Sequence, residues 1–376
     1  MPPVLCTPTD HLVSRRSWLG ATTSTLALGG LSGLFSAQGA QALRDSDKQV
    51  LFVWLDGGIS QLESWDPKPN TTFGGPFRSI PTSVPGVHFS ELMPRCAKQM
   101  HRLCVVRSMA TKDNAHSSGV ARIQRGDPKN RGVPYPFFGS AVAHFLGAMP
   151  SNLPPYVVIK EGSGGFRAED AGFLGPAYGS LAFGDGKPPE DLLRNPKVTE
   201  EEDAARNGLR ALLNRSYVNK RRPAFTEASS HAFDSANELM KRSDIFDTSR
   251  IPESALDRYG RSEIGRHMLI GRNMLEAGVR FVKVASYGWD THGDNFNAHE
   301  AWSIAMAGCG IKPGVVVGET DPLGVDIKES PYDIGSVFHT WYRALGIDSH
   351  TVEYKHNNQP LPLAHEEMYA IKEALV

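Results

Sequence analysis

Along the chain, short apolar runs alternate with longer stretches whose apolar residues recur at helical spacing. The runs Val50 to Leu55, Leu103 to Arg107, Tyr156 to Ile159, Val279 to Ala285 and Gly314 to Val317 predict buried strands. Glu200 to Asn214, Ser230 to Lys241, Ser262 to Ala277 and Tyr332 to Leu345 predict helices. In the third of these, Ile264, Met268, Leu269 and Leu275 give an inward face, and Gly278 stops the helix. Helix alternating with strand predicts an α/β fold, a mostly parallel sheet with helices on both faces. No internal repeat or low-complexity linker divides residues 43–376, which read as a single domain.

Two segments fall outside the periodic pattern. Trp65-Asp66-Pro67-Lys68-Pro69 opens a Gly- and Pro-rich stretch running to about Pro94, read as an ordered extended segment along one wall of a site. Gly162 to Lys197 has no periodicity and reads as a long covering loop. Its Gly162-Ser163-Gly164-Gly165 lacks the lysine and spacing of a phosphate-cradling loop. Lys220-Arg221-Arg222 reads as a solvated helix end.

The N-terminus changes the picture of where the chain works. Ser14-Arg15-Arg16-Ser17-Trp18-Leu19, a weakly apolar stretch to Phe35, and the small-residue site Ala40-Gln41-Ala42 together read as a twin-arginine export signal over residues 1–42. The apolar part is too short and polar for a membrane span, so no transmembrane anchor is expected after cleavage and the mature chain is expected in the periplasm or outside the cell. Removing Asp10, Arg15 and Arg16 takes the net charge from -1 to -2, and no nucleic-acid partner is expected. Cys96, Cys104 and Cys309 remain, an odd number that rules out a full disulfide framework. Cys96 and Cys104 read either as a pair or as small buried hydrophobes. Twin-arginine substrates cross the membrane folded, often with a metal already inserted, which favours a metalloprotein.

Candidate chemistry gathers where strands end. Asp56 stands at the exit of the first strand, before Gly57-Gly58, where open α/β sheets bind ligands; its other reading is a turn or helix cap. After the second strand, Asn114-Ala115-His116-Ser117-Ser118-Gly119 is the nucleophile region, with Ser117 or Ser118 at a helix N-terminus and His116 beside them. Ser is equally a preferred N-cap, so a capping role stands next to the catalytic one. The strand Val279 to Ala285 leads into Trp289-Asp290-Thr291-His292, whose carboxylate and imidazole, two residues apart, can face one cation.

The pieces LDGGISQLESWDPKP, VVRSMATKDNAHSSG, VKVASYGWDTHGDNF and GIKPGVVVGETD, in that order, resemble a bacterial export-signal-bearing family of unknown function, DUF1501. That family is considered a distant branch of the alkaline phosphatase and sulfatase superfamily. The resemblance implies a metal-dependent hydrolase fold, with Asp56 as the first-strand metal aspartate and Asp290 and His292 as a later metal pair. The family pattern then continues through a helix, a strand carrying Gly-Glu-Phe-Gly-Arg-Thr, and an Arg-Asp-His-Trp segment. Here Asn295-Phe296-Asn297 runs straight into Ala298-His299-Glu300-Ala301-Trp302, so one helix–strand unit is expected to be missing, with His299 and Trp302 as a remnant of the last segment. Asp56, Asp290, His292 and His299 are then the expected ligands of a divalent metal, zinc first, with manganese, iron and calcium as alternatives. No Cys is followed in the C-x-P-x-R pattern of formylglycine sulfatases, and no G-x-S-x-G elbow occurs. The expected activity is hydrolysis of phosphate or sulfate esters in a small-molecule or polysaccharide substrate, with Ser117, Ser118 and His116 as the reactive groups. The alternative is a non-catalytic exported binding protein that keeps the fold.

Overall fold

The structure is a computed structural model that describes residues 37–111, 116–126, 131–162, 171–186, 195, 197–220, 233–235, 237–247, 249, 251–289 and 302–376. In chain order the strands are β1 (Val50–Leu55), β2 (Ser79–Pro81), β3 (His88–Ser90), β4 (Cys104–Met109), β5 (Tyr156–Lys160), β6 (Leu181–Gly184), β7 (Phe281–Ser286), β8 (Trp302–Met306), β9 (Val315–Val317), β10 (Glu319–Thr320), β11 (Ile327–Glu329), β12 (Glu353–His356) and β13 (Gln359–Pro362). The helices are α1 (Ala37–Arg44), α2 (Pro94–Gln99), α3 (His116–Arg125), α4 (Phe138–Leu146), α5 (Glu200–Lys220), α6 (Glu253–Tyr259), α7 (Glu263–Glu276) and α8 (Ile334–Leu345). They divide into two compact units, one of residues 1–54, 132–286 and 355–360, the other of residues 55–131, 287–354 and 361–376.

The first unit holds a four-stranded sheet in the order β1-β7-β5-β6. β5 runs parallel to both neighbours, pairing Val157 with Val282 on one side and with Leu181 on the other. Val50 N–H donates to Arg280 O at 2.9 Å, so β1 and β7 start side by side. β5 and β7 are nearly continuous apolar runs because both of their faces are covered, whereas β1, expected to be buried, lies at the sheet edge and leaves Leu51 and Val53 40% and 45% exposed. On one face Val157, Ile159, Val282 and Val284 pack with Ile270 and Met274 of α7. Gly271 is the contact point there, since a Cβ in its place would lie 3.2 Å from Val284. On the other face Phe281 is ringed by Phe52, Phe138 and Tyr156 at 6.1, 5.6 and 5.1 Å between ring centroids. The expected α/β architecture with a parallel sheet is present.

One buried cation ties this unit together. Arg280, 1% exposed, donates to Arg44 O (2.8 Å), Lys48 O (2.8 Å), Gly147 O (3.2 Å), Leu146 O (3.3 Å) and Ser46 O. A guanidinium has five N–H donors in a fixed fork, and here they meet carbonyls from two separate segments. Asp47 offsets part of the burial that pulls its pKa down.

In the second unit, β4 lies between β8, antiparallel to it, and β9, parallel to it. The strands read from the sequence therefore fall in two sheets rather than one. Phe89, Ala97, Met100 and Val105 form a core beside β4, with Trp65 edge-on to Phe89 at 5.1 Å. α8 is amphipathic and largely buried, capped by Asp333 and closed by Gly346 in the left-handed region, φ 86°.

Several elements differ from the sequence reading. The stretch Gly162 to Lys197 contains β6, whose four residues between glycines are too short to show a period. The extended segment before Pro94 contains the β2–β3 hairpin. Trp302, expected as a remnant, begins β8. Cys96, Cys104 and Cys309 are unpaired, so the Cys96–Cys104 disulfide alternative is not realised; burial pushes the Cys104 thiol up to about 11.

Candidate functional site

β1 is followed by a glycine-bearing turn. Gly58 N–H donates to Leu55 O at 3.0 Å, closing a turn over Asp56 and Gly57. Gly57 has φ 87°, the value that a type II turn demands at its third residue and that glycine supplies without strain. A Cβ at Gly58 would meet nothing within 4 Å, and Asp56 is half-buried. The chain leaving β7 also carries a glycine at positive φ, Gly288 at 85°, with nothing within 4 Å of a Cβ.

Of the residues singled out from sequence, Asp290, His292 and His299 lie outside the described residues, as do the side chains of His116 and Ser117. The backbone of His116, Ser117 and Ser118 forms the first turn of α3, and Ser118 is exposed. Arg122 of the same helix donates to Asp333 Oδ2 at 2.6 Å, while Asp333 Oδ1 accepts from Ile334 N–H at 2.6 Å, so one carboxylate caps α8 and pins α3. Among the described residues, no three His, Cys, Asp or Glu side chains gather in a metal-binding group.

Two polar groups were not singled out from sequence. The first lies in the second unit around Asp66, whose side chain is 4% exposed. Its Oδ1 is 3.2 Å from Lys68 Nζ and 3.4 Å from an Arg107 nitrogen, and Thr320 donates to its Oδ2. Arg107 also donates to Trp65 O (2.5 Å) and His88 O (2.8 Å). Burial pulls the Arg107 pKa down, and Asp66 acts against that. Close by, Gly318 passes so near Ser108 that a Cβ would lie 1.8 Å from its Oγ. Three of the four stretches that carry the family resemblance therefore converge on one buried charge cluster. Asp66 and Lys68 were legible as a motif, but their partner Arg107 is 41 residues further along than Asp66, and spacing alone gave no sign of the pairing.

The second group follows the strands of the first unit. Ser286, ending β7, donates to Glu161 Oε1 at 2.8 Å, just past β5. Just past β6, the Asp185 carboxylate accepts from Gly162 N–H, and its backbone carbonyl accepts from Arg266 at 2.5 Å. Next to Arg266, His267 is fully buried; its Nε2 lies 3.3 Å from the Arg266 guanidinium, and its Nδ1 has no partner among the described residues. Burial pulls its pKa down, keeping the ring neutral at neutral pH. The signal for this group was the carboxylate immediately after each strand, hidden for Asp185 because β6 itself was not read.

Compared with known families, residues 47–301 and 298–375 match the family described as Protein of unknown function (DUF1501), in two segments that meet at 298–301. No curated protein and no solved structure matches the chain.

Proposed function

We propose, on the premise that the chain belongs to the DUF1501 family, that it is an exported metal-dependent hydrolase of phosphate or sulfate esters. The observation that carries this reading is the side-by-side start of β1 and β7, two six-residue strands, the first followed at once by Asp56 and the second, after Tyr287 and Gly288, by Trp289-Asp290-Thr291-His292. Ligands of open α/β sheets bind outside the carboxyl ends of strands, which makes these residues the natural donors. Asp56 fits that use, being a half-buried carboxylate at the exit of β1. Carboxylate oxygens from Asp56 and Asp290 and imidazole nitrogens from His292 and His299 suit zinc, manganese or iron. Such an ion supplies Lewis-acid polarisation of the ester oxygen.

The chain's own groups do the rest. Ser118, exposed in the first turn of α3, places a hydroxyl where the backbone N–H groups of a helix N-terminus and the helix dipole favour an anionic ester. Ser117 is the neighbouring alternative, and His116 is positioned in sequence to take and return the proton. The twin-arginine leader supports a periplasmic or secreted location. The family match breaks where the sequence read a missing helix–strand unit, which supports an internal deletion there.

The test is elemental metal analysis of the folded chain beside an Asp290→Ala, His292→Ala variant, followed by a screen of phosphate and sulfate monoesters. About one or two equivalents of metal, lost in the variant together with esterase activity, is the expected result. A well-folded wild type with no metal and no activity would refute the hydrolase and leave a binding protein on the same fold.

A further inference from the structure

α5 is built inside out. Over its 21 residues no described side chain is buried, and the half-exposed positions are Asp203, Asn207, Arg210, Ala211 and Asn214. These recur at helical spacing, so the face turned inward is mostly polar. Arg210 anchors it, 3.4 Å over the Phe233 ring and 3.0 Å from Asp234. The leucines are on the other side: Leu209, Leu212 and Leu213 are 58%, 65% and 59% exposed. A lone exposed leucine is ordinary, but three at i, i+3 and i+4 make a continuous apolar stripe, and such stripes mark contact surfaces.

The charge pattern says what covers it. The first turn carries Glu200, Glu201, Glu202 and Asp203, the last stretch carries Arg215 and Lys220, and the leucines fall at the middle of the helix. Such a helix complements itself when reversed. We infer that α5 is a self-association surface, pairing antiparallel with α5 of a second copy about a two-fold axis near the leucines. Leu209 then meets the second copy's Leu213, and the acidic end of each helix lies along the basic end of the other. A two-fold contact uses one patch twice, which a stripe centred in its helix satisfies. Parallel pairing would set four carboxylates against four carboxylates. The same acidic turn repels anionic lipid headgroups, so a membrane surface is the poorer occupant.

A seam of this size falls in the small interface class, below about 1,200 Å², where weak and transient complexes sit. Sedimentation of the full chain from about 1 to 200 µM, at low and high salt, reads it directly. The expected result is a monomer–dimer equilibrium that salt weakens and that Leu209→Glu with Leu213→Glu weakens at least tenfold, with thermal stability unchanged because both leucines are exposed. Orientation is read from charge. Glu200→Lys with Glu201→Lys, or Arg215→Glu with Lys220→Glu, weakens the dimer, and combining both pairs of changes restores it. A chain that stays monomeric to the highest concentration overturns the inference. So does a dimer indifferent to the leucine changes, a combined variant that fails to recover, or binding to phosphatidylglycerol vesicles without self-association.

Discussion

Replacing Asp66 by Asn tests whether the buried cluster holds the second unit together. The change keeps volume and removes one negative charge from between Lys68 and Arg107, whose side chains are each only 17% exposed. At 3.2 and 3.4 Å and an effective dielectric near ~20, the two attractions are about 5 kcal/mol each. Desolvation of the three groups cancels more than half of that. Arg107 keeps its bonds to Trp65 O and His88 O, which limits the damage further. The net cost is about 3 kcal/mol, or a fall in melting temperature of about 6 °C or more. Urea denaturation followed through tryptophan fluorescence reports it, because Trp65 adjoins the cluster and packs on Phe89. Arg107→Met completes a double-mutant cycle, in which the pair of changes costs about 2 kcal/mol less than the sum of the singles. A cost for Asp66→Asn below about 1 kcal/mol, or simple additivity in the cycle, would refute the reasoning.

Two further stability predictions follow from single contacts. His339 Nε2 lies 2.8 Å from His365 O, a carbonyl that can only accept, so this nitrogen carries the proton and Nδ1 accepts from Ser349 at 2.7 Å. Burial first, and then neighbouring His350, hold its pKa down at about 4 against an unfolded value of 6.5. The unfolded chain therefore binds the extra proton between those values, so stability is full above about pH 6.5 and declines as pH falls toward 4; His339→Gln flattens that slope in pH-dependent melting curves. Gly318→Ala drives a Cβ into Ser108 at φ 73° and costs more than about 2 kcal/mol; adding Ser108→Gly recovers the clash but not the backbone strain, read as partial restoration of the melting temperature.

The sequence exposed what is local and concealed what is assembled. Tyr156 to Ile159 and Val279 to Ala285 were legible as strands because burial on both faces leaves nearly continuous apolar runs, Val50 to Leu55 because its β-branched and aromatic residues make a short apolar run even though one face is open, and α7 and α8 because one face of each is apolar. α4 gave no period to read because all of its residues are buried. β9 was read from Gly314 to Val317, but β8, β10, β11 and the β2–β3 hairpin are two to five residues long, too short for a period to show. Asp56 was found as the carboxylate that ends a strand. Asp66 was found only as part of a motif, since a buried ion cluster exists by virtue of three chain segments meeting. The inverted face of α5 defeated pattern reading in another way: leucines at helical spacing predict a helix correctly and say nothing about which side faces inward.

Arg280 has a consequence for the order in which the chain becomes rigid. Its bond to Arg44 O spans 236 residues of sequence, and that to Leu146 O spans 134. Residues 44–48 leave the ribosome early, yet the guanidinium that fixes them arrives only when synthesis has passed β7. The earliest-made part of the domain is thus among the last to settle, a long loop closed late. The segment that leads into β1 stiffens only once the far side of the sheet is in place.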